Sequence, residues 1–309
     1  FQATRRVTYD WRTEEQVSYR QIAEELFSHR QGCVIVNLRA HAEKLFRILK
    51  ESVSGAESEG IFYLTSDLCG AHRSEVLEAV EKRLAEGNSC YLVATQCIEA
   101  GVDLDFPVVY RALAPLESII QAAGSCNRNG DSDDGKMIVF LPEEERLYPP
   151  GAYYQRASLC VKTLASRHPI DCFNLKHIDE YYKILYSNGE GDKKKLKKAL
   201  EDRDYQRVQE AYKMIESRGI QVIVPWKDKM DLFHSLEEEY KKTGLTQELI
   251  RRARPLMVSS FAEDKVKECC IPLLFKTYGR ESEVQTDWYL LGNPKCYHEK
   301  LGLNFAAME

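Results

Sequence analysis

Between Gly32 and Pro142, short β-branched and apolar runs alternate with amphipathic stretches of helical period, and no other feature limits the fold so much. Cys33–Asn37 is followed by a helical pattern at Ala42, Leu45, Phe46 and Leu49. Ile61–Leu64 precedes His72–Leu84, where Val76, Leu77, Val80 and Leu84 share one face. Tyr91–Ala94, Val108–Tyr110, a helix around Ile119–Cys126 and Met137–Phe140 complete the series. Strands apolar along their whole length, separated by helices, predict a doubly wound α/β domain with a parallel sheet covered on both faces.

After Pro142 the regularity is lost. Pro149, Pro150 and Gly151 mark a connector over 146–170. Beyond it, Ile178–Leu185, Lys193–Glu216 and Leu232–Lys242 read as helices. Gln221–Val224, Leu256–Val258 and Trp288–Leu291 read as short strands, so residues 171–309 are expected to form a smaller, mostly helical mixed domain. Residues 1–29 are taken as a lead-in. The opening FQATRRVTYDW has no initiator Met and no apolar core, and reads as the interior of a longer polypeptide.

Composition adds exclusions. With 44% hydrophobic and 29% charged residues the chain is globular, and no apolar run approaches the roughly 18–20 residues of a membrane span. The ten cysteines form no CxxC pair, so buried free thiols in a reducing, cytoplasmic setting are expected, without a metal site or disulfides. The net charge of −5 does not suggest a surface coated for nucleic acid, although one groove can still be basic. The run Lys193, Lys194, Lys195, Lys197, Lys198 is either a solvated helix face balanced by Glu201, Asp202 and Asp204 or a phosphate-tracking patch.

Two segments carry candidate chemistry. In open α/β sheets ligands bind outside the carboxyl ends of strands, which places Thr95, Gln96, Glu99 and Asp103 where polar chemistry is expected. The alternative is an ordinary loop with turn-forming Gly and Asp. In the second segment, Gln121–Gly130, a helix is expected to end in a polar tip, with Gln121 and Arg128 two turns apart on one face. Arg at such a tip suits the charge that develops on a transferring phosphoryl group.

The order strand–TQCIEAGVDLDF–strand–helix–QAAGSCNRNG resembles motifs V and VI of superfamily 2 helicases. More narrowly it resembles the CRISPR-associated helicase–nuclease of type I systems. Val34–Leu49, Leu68–Leu84 and Phe106–Gly124 carry that narrower likeness, which is dense over 30–142; Gln221–Pro225 and Tyr297–Asn304 resemble the family's accessory C-terminal domain. The resemblance implies a second RecA-like helicase domain over 30–145 and an accessory domain over 171–309. It also implies the C-terminal motor half of an ATP-dependent single-strand DNA translocase or helicase in CRISPR interference, an antiviral defence. Implied partners are single-stranded DNA, the first RecA-like and nuclease domains of the same protein, and an RNA-guided surveillance complex, with no membrane.

Site roles follow from the same resemblance. Asn37, Arg39, Thr95 and Gln96 would face the nucleic acid, and His72 and Arg73 would offer a phosphate site at a helix start. Gly101, Asp103, Gln121, Gly124 and Arg128 would face ATP, with Asp103 near the ribose or the Mg2+ shell and Gln121 and Arg128 acting on the γ-phosphate. Ser125 stands where the family usually has a second Arg. No GxxxxGK[ST] and no DExH-type acid pair occurs, so this chain alone is expected to be inactive, with ATP and Mg2+ held only in the intact protein. Two alternatives stay open: half of another superfamily 2 DNA or RNA helicase, or a catalytically dead α/β docking scaffold.

Overall fold

The structure, a computed structural model, describes residues 6–53, 55–99, 102–130, 135–187, 196–211, 219–277, 280–284 and 286–305. The first unit runs β1 (Val7–Val17), α1 (Tyr19–Phe27), β2 (Gln31–Ile35), α2 (Arg39–Ser52), β3 (Ile61–Leu64), α3 (Gly70–Ala85), β4 (Cys90–Ala94), β5 (Val108–Ala112), α4 (Leu116–Ala123), β6 (Gly135–Pro142), α5 (Ala152–Ala165) and α6 (Leu175–Ser187). Its six strands form one sheet in the order β1-β6-β5-β2-β4-β3, every neighbouring pair parallel. All five residues of β4 and all five of β5 are buried. Successive side chains point to opposite faces, so helices cover both faces of the central strands, as the apolar runs predict. This is a RecA-like α/β sheet.

The expected boundaries move. The supposed lead-in supplies β1, which lies beside β6 along the sheet edge, and α1, whose Ser18 hydroxyl caps the helix by accepting from Gln21 N at 3.2 Å. Ile22 and Leu26 of α1 are fully buried in the first core. The supposed connector contains α5, which packs Ala157, Val161 and Leu164 into that core, and α6 adds Tyr181 and Leu185. Pro149, Pro150 and Gly151 therefore mark the entry to a packed helix rather than a hinge between units.

The remainder comprises α7 (Leu196–Glu201), α8 (Tyr205–Ala211), β7 (Ile220–Ile223), α9 (Met230–Thr243), α10 (Gln247–Ala253), β8 (Met257–Ser260), α11 (Glu263–Cys269), β9 (Cys270–Pro272), β10 (Phe275–Thr277), β11 (Arg280–Val284), β12 (Trp288–Leu291), β13 (Tyr297–His298) and β14 (Gly302–Leu303). The three predicted strands are β7, β8 and β12; with β9 they make a mixed sheet, β8-β7-β12-β9. A second core of Val222, Leu249, Val258, Leu290 and their neighbours lies on it. Most of the lysine run and much of the predicted 193–216 helix fall outside the described residues; α7 and α8 are the described parts.

The two units are locked by exchange. Leu301 inserts into the first core and Cys69 into the second. Gly302 adopts φ +74° directly over Asp67, where a Cβ would come within 2.2 Å of the Asp67 carbonyl oxygen, and Leu303 N donates to that oxygen at 2.8 Å. Any larger residue at 302 would push the units apart.

His72 sits at the centre of this contact. Its ring stacks on Trp226 with centroids 3.7 Å apart, and Nδ1 lies 3.1 Å from the Tyr297 hydroxyl. Burial, reinforced by Lys227 and Lys300 and opposed by Glu299, pushes its pKa down to about 3. An unfolded His titrates near 6.5, so between pH 6.5 and 3 the unfolded chain binds the extra proton and stability falls as pH falls. The expected slope from this one group is about 1.4 kcal/mol per pH unit. Urea midpoints of the wild type should drop more steeply from pH 7 to pH 4 than those of His72→Phe, which keeps an aromatic ring there but does not titrate. Parallel profiles would refute a neutral, buried His72.

Candidate functional site

The connection from β4 to β5 crosses from one edge of the sheet to the other, and this divides residues that the sequence groups together. Thr95, Gln96 and Glu99 stay at the carboxyl edge, whereas Asp103 and Asp105 reach the amino edge, just before β5 begins. There they meet the segment that follows α4. That helix ends at Ala123, not near Cys126, because the chain turns at Gly124 and pairs back with the β5 approach. Phe106 N donates to Ser125 O and Asn127 N to Phe106 O, both at 2.9 Å. Asn127 takes φ 44°, a left-handed conformation that Asn tolerates. Arg128 is therefore not helical, and the same-face spacing with Gln121 does not apply, although both residues are exposed.

Within the tip, Asp105 accepts from Arg128 N at 2.7 Å and Asn129 N at 2.9 Å, which fixes the backbone. The Arg128 side chain, 43% exposed, places Nε 2.5 Å from Oδ1 of Asp103, which is 80% exposed. That partner differs from Asp131 or Asp133, which lie outside the described residues, as does Gly101. Gln121 and Gly124 are exposed on the same turn. A groove of about 510 Å³ runs alongside, lined by Gln31, Glu81, Asp103, Asp105, Asn127 and Asn129. Ser125 is buried at 3% exposure, so the position expected to hold a second arginine points inward. Among the described residues no group of three or more His, Cys, Asp or Glu is arranged to hold a metal ion.

The carboxyl edge holds a buried polar network. Arg111, fully buried on β5, donates through Nη1 to Asn37 Oδ1 at 2.7 Å and to Ala112 O at 3.0 Å. Its Nη2 donates to the Tyr154 hydroxyl at 3.0 Å and lies 2.9 Å from Glu99 Oε1. Tyr154 donates to Asn37 Oδ1 at 2.8 Å, and Gln96 Nε2 donates to both Asn37 O and Tyr154 at 3.2 Å. Burial pushes the Glu99 carboxyl pKa up while Arg111 pulls it down.

This corrects three expectations for a strand-facing surface. Asn37 is buried, its amide spent on Leu113 O and Leu147 O at 2.9 and 3.1 Å, so it braces loops and has no free donor for a nucleic acid. Thr95 is 5% exposed. His72 belongs to the contact between the units, and the α3 start is covered: Cys69 N donates to the Tyr297 hydroxyl at 2.9 Å, and a Cβ on Gly70 would lie 3.3 Å from Pro255 O. No open phosphate cradle exists at that helix start. Arg39, ion-paired with Asp67, and Gln96 and Arg73 keep partial exposure.

Arg6, Asp105, Arg111 and Tyr154 were not legible as site residues. An arginine inside the apolar run VVYRA was the available signal for Arg111. Arg6 had none, since it reaches the tip only through the pairing of β1 with β6.

A six-stranded parallel sheet with helices on both faces and an arginine-bearing turn at its amino edge is the architecture of a RecA-like domain. Residues 28–131, about a third of the chain, match the family described as CRISPR-associated nuclease/helicase Cas3, C-terminal. It is 49% identical over 59 residues to the CRISPR-associated nuclease/helicase Cas3 of Haloferax volcanii, covering 18% of this chain and 6% of that one. It is 28% identical over 123 residues to the Methanothermobacter thermautotrophicus protein of that name, covering 38% and 14%. The matches therefore span only a small part of those relatives. The crystal structure of T. fusca Cas3 superposes with a TM-score of 0.59 at 15% identity, over 92% of this chain and 39% of that one. A chain of a CRISPR RNA-guided surveillance complex, pre-nicking, gives 0.53 at 17% identity over 92% and 40%. At such identities the likeness speaks for the fold, across both units. No described helix is long and apolar enough to cross a membrane.

Proposed function

We propose that this chain is the C-terminal motor half of an ATP-driven single-strand DNA translocase acting in CRISPR interference. The observation that carries the reading is the exposed Arg128–Asp103 pair, at one edge of a RecA-like sheet inside the matched segment, on the turn that follows the exposed Gln121 and Gly124. Arg128 faces the γ-phosphate of a nucleotide held by a first RecA-like domain. Its exposed pair with Asp103 is worth about 0–1 kcal/mol, so a polyphosphate in a closing, drier cleft displaces the carboxylate readily. Asp103 is then free for the ribose or the Mg2+ shell. One free carboxylate does not make a metal site, so a Mg2+ ion would come with the nucleotide, and Asp103 is the residue here that would border it.

The strand path runs along the carboxyl edge, over Arg39, Arg73 and Gln96, with Asn37 and Thr95 supporting the loops from beneath. Partners are a nuclease domain and first motor domain of the same protein and an RNA-guided surveillance complex. In the intact protein, single-stranded DNA should stimulate ATP turnover, and photocrosslinks from bound DNA should map to Arg39 and Gln96. Binding to this chain alone should be weak and fall with salt. An intact protein with no DNA-stimulated turnover, or crosslinks confined to the lysines around Lys198, would overturn the reading; no binding at all would favour a docking scaffold.

A further inference from the structure

The tip is short of positive charge. Asp103 pairs with the one guanidinium there, Arg128, and so already neutralises it, while Asp105 adds a second negative charge on the Arg128 and Asn129 amides. An ATP triphosphate is a polyanion, and one arginine balanced by two carboxylates attracts it poorly. Ser125 is buried and adds nothing. A second cation does reach the tip, from a remote part of the sequence. Arg6 is exposed and donates from Nη1 to the Arg128 carbonyl. Its own carbonyl accepts from Asn127 Nδ2 at 2.7 Å, and its side-chain stem lies against Gly130, where a Cβ would be 3.4 Å from Arg6 Cδ. The next residue, Val7, opposes Gly135 in the β1–β6 ladder. The tip that carries Arg128 therefore holds Arg6 by its backbone and stem. A single carbonyl uses one of the five donors on its guanidinium.

We propose that Arg6 is the second phosphate-facing arginine of this motor, supplied from β1 in place of position 125. The inference rests on the tip facing a nucleotide. Among the described residues no carboxylate pairs with Arg6, so its charge is available to an incoming anion. Its forked donors suit the equatorial oxygens of a γ-phosphoryl group as negative charge spreads over them.

The test compares the intact wild-type protein with Arg6→Ala, Arg6→Lys and Arg128→Ala. The readouts are kcat and KM for ATP with saturating single-stranded DNA, DNA affinity, and urea midpoints of this chain carrying the same changes. Losing one preorganised donor to developing charge lowers kcat by about 10²–10³-fold, so Arg6→Ala should fall by about that factor. Arg6→Lys should recover part of it, with DNA affinity and urea midpoints unchanged. If Arg128→Ala abolishes turnover while Arg6→Ala matches wild type, Arg6 is only a clamp on the Arg128 carbonyl and the inference falls, though the motor assignment stands. A loss at Arg6→Ala that Arg6→Lys leaves uncorrected and that comes with a lowered urea midpoint also means a clamp. If neither arginine affects turnover, the reading of the tip itself is wrong.

Discussion

Arg128→Ala should cut ATP turnover of the intact protein by about 10³-fold or more, the range measured for loss of an arginine finger. The same change should move the stability of this chain by no more than about 0.5 kcal/mol. The two expectations are separable because the Arg128 backbone and side chain have different partners. Asp105 holds the backbone through the Arg128 and Asn129 amides, and alanine keeps both bonds. Among the described residues the side chain, 43% exposed, pairs with a largely solvated Asp103, and such pairs contribute little in water. Turnover, by contrast, asks for positive charge at the moment negative charge spreads over the γ-phosphoryl oxygens, in a cleft closed against solvent. Single-strand DNA binding, proposed for the opposite edge of the sheet, should persist. Steady-state turnover in the intact protein and urea denaturation of this chain measure the two halves. Undiminished turnover would reduce Arg128 to a surface partner of Asp103.

How far the sequence could be read depended on the range of each interaction. The β2–β6 core was legible because each buried strand is a contiguous apolar run, and β7, β8 and β12 were found by the same signal. β1 was missed because it is an edge strand: VTYDWRTEEQV alternates exposed and partly buried positions and carries charge, so it resembles a loop. The 95–106 crossing was misread for a related reason. With no long helix between β4 and β5, nothing in the spacing shows that Asp103 ends at the other edge of the sheet from Thr95. The tip residues were found through family likeness, but their geometry was not: Asn127 in a left-handed turn ends the helical count that tied Gln121 to Arg128. His72 shows the strongest tertiary override, because a histidine beside Arg at a helix start looks like an anion site until Trp226 and Tyr297, over 150 residues away, cover it.

Arg111→Ala is the substitution expected to damage the fold most, by about 3–5 kcal/mol, as when one partner of a buried ion pair is removed. Glu99, only 6% exposed at its side chain, would be left without its cation 2.9 Å away. Asn37 Oδ1 and the Tyr154 hydroxyl would each lose one donor, keeping only Tyr154 and Gln96 respectively, and a typical hydrogen bond contributes about 0.5–1.5 kcal/mol. Arg111→Lys should recover little, since one ammonium cannot reach Asn37, Tyr154, Glu99 and Ala112 O in the fork geometry of a guanidinium. The pair as a whole need not be stabilising. Arg111 Nε is buried without a hydrogen-bond partner, and burying two charges costs about as much as their attraction returns. The double change Arg111→Met with Glu99→Leu should therefore regain most of the lost stability. Urea midpoints of this chain decide it: a double variant as unstable as Arg111→Ala would mean that the bonds to Asn37 and Tyr154, not the ion pair, hold the carboxyl edge together. If stability returns but DNA-stimulated turnover in the intact protein does not, the network's role is to link the loops at 37 and 96 that border the proposed strand path.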